Sequence, residues 1–144
     1  MMLGLGRVRV CAAMLILASI DTKPHELIVT SLQRARCCQL LGALEGKFDE
    51  HKLFTVGLLS LLDAFLDQPL SEILENLPLA ADVKAALIQH AGGLAEVLDA
   101  AIALEHMDED ALRACGLDRG KSNHAYIEAL RWTREFEETI GSAR

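Results

Sequence analysis

The segment from Leu53 to Leu66 constrains the fold more than any other part of the chain. Leu53, Phe54, Val56, Leu58, Leu59, Leu61, Leu62, Ala64, Phe65 and Leu66 surround a helix almost completely. A helix that is apolar on every side must be enclosed on every side. The spacing therefore predicts a central helix with the remaining elements packed round it. Those elements read as helices too. Leu70, Ile73, Leu74 and Leu77 follow i, i+3, i+4, i+7 between Pro69 and Pro78. Val83, Ala86, Leu87 and His90 repeat the pattern up to Gly92-Gly93, which are expected to end that helix. Leu94, Val97, Leu98, Ala101 and Leu104 form the next stripe, and Ala125, Ala129, Trp132, Phe136 and Ile140 the last. Pro24 fits the first turn of a long helix whose inward positions are Ile28, Leu32, Ala35, Cys38 and Leu41. Sustained apolar/polar alternation and Asn-Gly or Asp-Gly hairpins are missing, so strand signals are weak. The expectation is all-α: one helical domain over residues 1–144, with about seven or eight helices and short connections. Arg119-Gly120-Lys121-Ser122-Asn123 is the most loop-like stretch.

Composition narrows the function classes. The 144 residues are 51% hydrophobic, enough to offset the ordering entropy of a single core. Acidic residues outnumber basic ones 21 to 14, a net charge of −7. Such a balance argues against nucleic acid as a partner, since a phosphate backbone demands clustered lysine and arginine. Cys11, Cys37, Cys38 and Cys115 form no C-x-x-C pair and suit neither a zinc knuckle nor a disulfide framework. They read as core or semi-core thiols in a reducing cytoplasm, with adjacent Cys37 and Cys38 on different helix faces. Arg7 and Arg9 before Val10–Ile20 imitate a signal peptide. The uncharged run is only 11 residues, whereas crossing a bilayer takes roughly 20. A buried apolar helix within residues 1–22, and no membrane partner, is the expectation; secretion or membrane anchoring is the alternative.

Sites of chemistry are hard to find. His25, His51, His90, His106 and His124 make no H-E-x-x-H or His-Asp dyad. His106-Met107-Asp108-Glu109-Asp110 offers three carboxylates to a cation, but acids at a helix start are ordinarily a solvated cap. Gly4-Leu5-Gly6 lacks the rest of a phosphate-binding fingerprint. Ser60 sits mid-helix among leucines, without a base to activate it. Arg34 and Arg36, two apart, face different directions and read as surface ion pairs or snorkelling stems. His90 reads as a hydrogen-bonded boundary residue and Trp132 as core. No cofactor is expected.

Several segments together carry a family resemblance: Lys23-Pro24-His25-Glu26-Leu27, Arg34-Ala35-Arg36-Cys37-Cys38-Gln39-Leu40-Leu41, Leu53-Phe54-Thr55-Val56-Gly57-Leu58-Leu59-Ser60-Leu61-Leu62-Asp63-Ala64, and Pro69-Leu70-Ser71-Glu72-Ile73-Leu74. Leu77-Pro78-Leu79 and Ala125-Tyr126-Ile127-Glu128-Ala129-Leu130-Arg131-Trp132 complete the set. In this order the chain resembles the C-terminal part of an HDOD domain, the HD-related output domain, over roughly residues 3–140. The subtype is the one that follows an EAL-type cyclic di-GMP phosphodiesterase domain in bacterial signalling proteins. Metal-dependent HD phosphohydrolases, similar in fold, carry Gly-Leu-Leu-His-Asp-Ile-Gly, whose His-Asp pair holds the metals. The corresponding stretch here is Gly57-Leu58-Leu59-Ser60-Leu61-Leu62-Asp63, so histidine becomes Ser60 and aspartate Leu61. An earlier His-Ser-Leu maps onto Thr30-Ser31-Leu32. Leucine offers no donor to a cation, and Asp63 by itself makes no two-metal site. Relatives tend to carry Gly-Asp-Trp near Met107-Asp108-Glu109, and Glu109 replaces the aromatic.

The resemblance thus implies a truncated HDOD domain without catalytic, cofactor or metal residues: a regulatory signal-transduction module, not an enzyme. It would act in the cytoplasm through contacts with a protein partner or neighbouring signalling domain. The apolar patch left by truncation would favour a homodimer or a partner. The alternative is a cryptic HD-type metal-dependent phosphohydrolase using Asp63, His51 and His90.

Overall fold

A computed structural model describes residues 25–75 and 77–143. Every regular element among the described residues is a helix, with no strand. The helices are α1 (His25–Glu45), α2 (Glu50–Leu59), α3 (Leu62–Leu66), α4 (Leu70–Glu75), α5 (Ala81–Lys84, continued by a π-helical turn Ala85–Gln89), α6 (Gly93–His106), α7 (Glu109–Cys115) and α8 (Arg119–Ala143). The Val10–Ile20 helix and the Pro24 first turn lie outside the described residues, as does the side chain of Ile140.

Aspartates start three of these helices. Asp49 accepts a hydrogen bond from the His51 amide at 2.8 Å, and Asp108 one from the Ala111 amide at 3.1 Å. Asp118 accepts from the Lys121 amide at 2.9 Å. Each bond satisfies an amide that has no partner within its helix. The cap at Asp118 corrects the loop expected over Arg119–Asn123. Those residues are the first turn of α8, and Ser122 is fully buried there.

The hub of the bundle is α1, which packs on α2 most extensively, then on α8 and α6. All five inward positions expected for it are buried: Ile28, Leu32, Ala35, Cys38 and Leu41. Ser31, Cys37 and Gln39 are buried as well. Cys37 and Cys38 do lie on different faces, but both faces are covered, because α1 has neighbours on several sides. The segment expected as one central helix is divided instead. Its first half, α2, is enclosed between α1 and α6, with Leu53, Phe54, Val56 and Leu58 at 0% exposure. The helix then breaks at Ser60-Leu61, where the Ser60 hydroxyl donates to the Gly57 carbonyl at 2.7 Å. A serine hydroxyl that bonds back into its own helix competes with the backbone ladder, which the leucine pattern conceals.

The Gly92-Gly93 stop also needs correction. The chain leaves α5 at His90, which takes up the left-handed conformation itself at φ 54°. Gly92, at φ 91°, then turns the backbone into α6. His90 is therefore an exposed end of the π turn and not a boundary residue on an apolar face. The α6 stripe, Leu94, Val97, Leu98, Ala101 and Leu104, is buried as expected. Trp132 of α8 packs edge-on to Phe54 with ring centroids 6.0 Å apart and stacks on Phe136 at 5.3 Å. Among the described residues no single helix is long and apolar enough to cross a membrane.

Candidate functional site

Three helices meet at the guanidinium of Arg34. Its Nε donates to Glu105 Oε1 at 2.9 Å and its Nη2 to Glu105 Oε2 at 3.0 Å, a two-pronged bond from α1 to the end of α6. Its Nη1 donates to the Ser60 hydroxyl at 3.3 Å, just past the end of α2. The side chains are only 11% and 17% exposed, so this is a sheltered pair and not the surface ion pair expected for Arg34. Planar guanidinium and carboxylate match bond for bond, which a lysine cannot reproduce. The imidazole of His106, mostly exposed, stands 3.7 Å from Glu105 Oε2. Arg36 does point elsewhere: it donates to Gln39 and lies 5.8 Å from the Trp132 ring centroid.

Beside the pair is a cavity of about 340 Å³ whose lining includes Arg34, Ser60, Asp63, Leu87 and His90. It brings together two of the three residues of the cryptic metal set, Asp63 and His90, both exposed. His51 is not part of its wall; it is exposed near the start of α2. Asp63 accepts the amide of Ala64 at 2.9 Å. Thr30 is half-buried one turn before Arg34 on the same side of α1, and Leu61 is half-buried at the break. Among the described residues no group of three or more histidine, cysteine, aspartate or glutamate side chains converges in a way that could hold a metal ion. The acids after His106 are otherwise engaged: Asp108 caps α7, and Glu109 makes a bidentate pair with Arg119. The Arg119 guanidinium holds the Glu109 carboxyl below its ordinary range.

The Ser60 proton is committed to the Gly57 carbonyl, and its lone pairs face Arg34. The arrangement ties α1, α2 and α6 in one register through a neutralised charge pair. Pattern reading missed Glu105 altogether and misplaced Arg34. Ser31 and Cys38, at i−3 and i+4 from Arg34, are both buried, so the arginine stands in an inward row that only the packed structure reveals.

The neighbouring thiols feel the same enclosure. Burial, reinforced by the Glu105 carboxylate, pushes the Cys37 thiol from 9.0 up to about 12. Burial likewise raises Cys38, with adjacent Cys37 adding to it. A thiol that resists ionisation when folded but ionises when unfolded leaves the unfolded chain with fewer protons. Its contribution is therefore complete below pH 9.0 and is lost as pH climbs toward 12. Stability should fall by about 1.4 kcal/mol per pH unit for each such thiol in that window. Urea unfolding at pH 8 and pH 10.5 reads this, and C37A should flatten the dependence.

No family model and no solved structure matches the chain. It is 36% identical over 145 aligned positions to the cyclic di-GMP phosphodiesterase CdgJ of Vibrio cholerae serotype O1, covering 96% of this chain and 33% of that protein. It is also 32% identical over 110 positions to YuxH of Bacillus subtilis, covering 75% of this chain and 27% of YuxH. The chain therefore spans a third or less of the curated relatives it matches.

Proposed function

We propose that this chain is an HDOD-type module of a cyclic di-GMP signalling protein that works through contacts between helices and not by catalysis. The observation that carries the reading is the Arg34–Glu105 pair with its bond to Ser60. By the resemblance to HD hydrolases, Ser60 and Leu61 occupy the positions of the metal-holding His-Asp pair. The residues present do not fit such a centre. Leu61 has no donor atom, and the Ser60 oxygen already accepts from the Arg34 guanidinium at 3.3 Å while its proton goes to the Gly57 carbonyl, so it is engaged away from a metal ion. Similarity to part of a cyclic di-GMP phosphodiesterase supports the signalling context. The free thiols at Cys37, Cys38 and Cys115 are in keeping with a reducing cytoplasm. The partners of such a module are a neighbouring domain, another protein or a second copy.

The test is direct. The purified chain, dialysed extensively, should hold no stoichiometric iron, manganese or zinc and should not hydrolyse cyclic di-GMP or nucleoside phosphates. Turnover that disappears in D63A would overturn the reading in favour of a phosphohydrolase.

A further inference from the structure

A second concavity, of about 630 Å³, lies away from Arg34, where the end of α1 meets α6 and α7. Its floor is small and apolar, with Val97, Ala100 and Ala103 of α6 buried at its base. Its rim is acidic. Glu45, Glu96, Asp99 and Asp108 line it, all are exposed, and no lysine or arginine joins them. Glu45, Glu96 and Asp99 have no ion-pair partner among the described residues.

We propose that this groove docks a cationic amphipathic helix of a protein partner. The inference rests on the contact-only reading above and gives that contact a chemistry. Four carboxylates round an apolar floor favour a ridge of apolar side chains flanked by lysine or arginine. A second copy docking groove to groove would set the same carboxylates against each other, and a nucleic acid or anionic membrane would be repelled. The walls are helices, whose backbone groups are already paired, so an extended peptide would find no ladder to join. A helix brings its own backbone bonds. From Glu96 to His106, ten steps at a rise of about 1.5 Å, the trough runs about 15 Å along α6, which accommodates roughly three turns of a partner. The alanines at the floor permit close approach of that helix.

The probe is a fluorescein-labelled 18-residue peptide with leucine and alanine at i, i+3, i+4, i+7 and lysines on its flanks. Two controls accompany it: a scrambled-ridge peptide of identical composition, and one with lysine changed to glutamate. Anisotropy titration of the intact chain should give saturable one-to-one binding, at least tenfold tighter than either control and weakened severalfold between 50 and 300 mM salt. The E96K/D99K variant should lose at least tenfold in affinity. A114W should do the same by filling the trough from an exposed position on α7, while the circular dichroism of both variants stays unchanged. Bound peptide should also slow alkylation of Cys115, a half-buried thiol in the wall, as mapped by mass spectrometry. Equal binding of the scrambled peptide, undiminished binding by well-folded variants, or no binding at all would each overturn the proposal. Absence of binding would leave the non-catalytic reading intact, whereas hydrolysis would remove that reading without touching the groove.

Discussion

G57A is expected to cost about 3 kcal/mol or more, a large part of the 5–15 kcal/mol that holds a typical domain folded. An alanine Cβ at this position would lie 2.6 Å from the Ala35 Cα, the Ala35 nitrogen and the Arg34 carbonyl oxygen. All three are backbone atoms of α1, so no rotamer change relieves the clash. The two helices would have to separate by about an ångström, opening the packing of Leu32, Phe54 and Leu58 that the close crossing makes possible. The sign is what makes the experiment informative. Glycine to alanine inside an unobstructed helix normally stabilises by up to about 1 kcal/mol. Gly120, where the nearest atom to an added Cβ is the Asp118 carboxylate at 3.4 Å, supplies that comparison in the same protein. Urea unfolding should show G57A strongly destabilised and G120A neutral or slightly stabilised. A G57A protein as stable as the parent would refute the close crossing of α1 and α2.

The second large effect belongs to the sheltered ion pair. R34L leaves the Glu105 carboxylate facing the bundle without its cation, and E105L strands the guanidinium. Each should cost about 2–4 kcal/mol, because the charge that remains is mostly shut off from water and cannot be solvated fully. Removing both at once should cost far less than the sum of the two, since apolar side chains of similar volume can fill the same space. A coupling energy of at least 1 kcal/mol from the double-mutant cycle is the expected result. R34K should fall between parent and R34L, as an ammonium keeps the charge but loses the paired geometry. Additive losses would show that the pair holds nothing together, and the register of α1, α2 and α6 would need another explanation.

Both effects arise at one helix crossing, though the residues are distant in sequence. Gly57 and Ser60 share the end of α2, and Arg34 and Ala35 share the turn of α1 that faces it. The tight crossing brings the arginine within reach of Ser60, and the arginine joins α1 to α6 through Glu105. A rearrangement at one helix would therefore be felt at the other two. That is the mechanical property a module acting by contact needs, and it is why loss of Gly57 should also weaken the coupling measured at Arg34 and Glu105.

Much of the architecture was legible without coordinates. The inward rows of α1 and α6 were readable position by position, because a buried helix face needs apolar residues every three or four places and nothing else satisfies it. What misled was any residue whose local pattern was outvoted by its surroundings. Ser60 and Leu61 look like two more members of a leucine-rich helix, yet a hydroxyl bonded to the Gly57 carbonyl helps end it there. His90 follows an apolar period but closes its helix in the left-handed conformation, ahead of the glycines that seemed the natural stop. Arg119 to Asn123 read as loop from composition, although Asp118 caps them into the first turn of α8.

The candidate site shows the same division. That Ser60 and Leu61 offer a cation one hydroxyl and no other donor was visible in the sequence, since side-chain chemistry is decided by residue identity alone. That Arg34 crosses to Glu105, seventy-one positions away, was not visible. Nothing local distinguishes a charged residue that snorkels to water from one that meets its partner inside. Periodicity is a property of neighbours along the chain, and so it determined which helices form and which faces they bury. Pairing between distant charges and the distance at which two backbones cross depend on where whole helices come to rest. Only the packed bundle decided those, because the energies involved exist only once water has been displaced from between them.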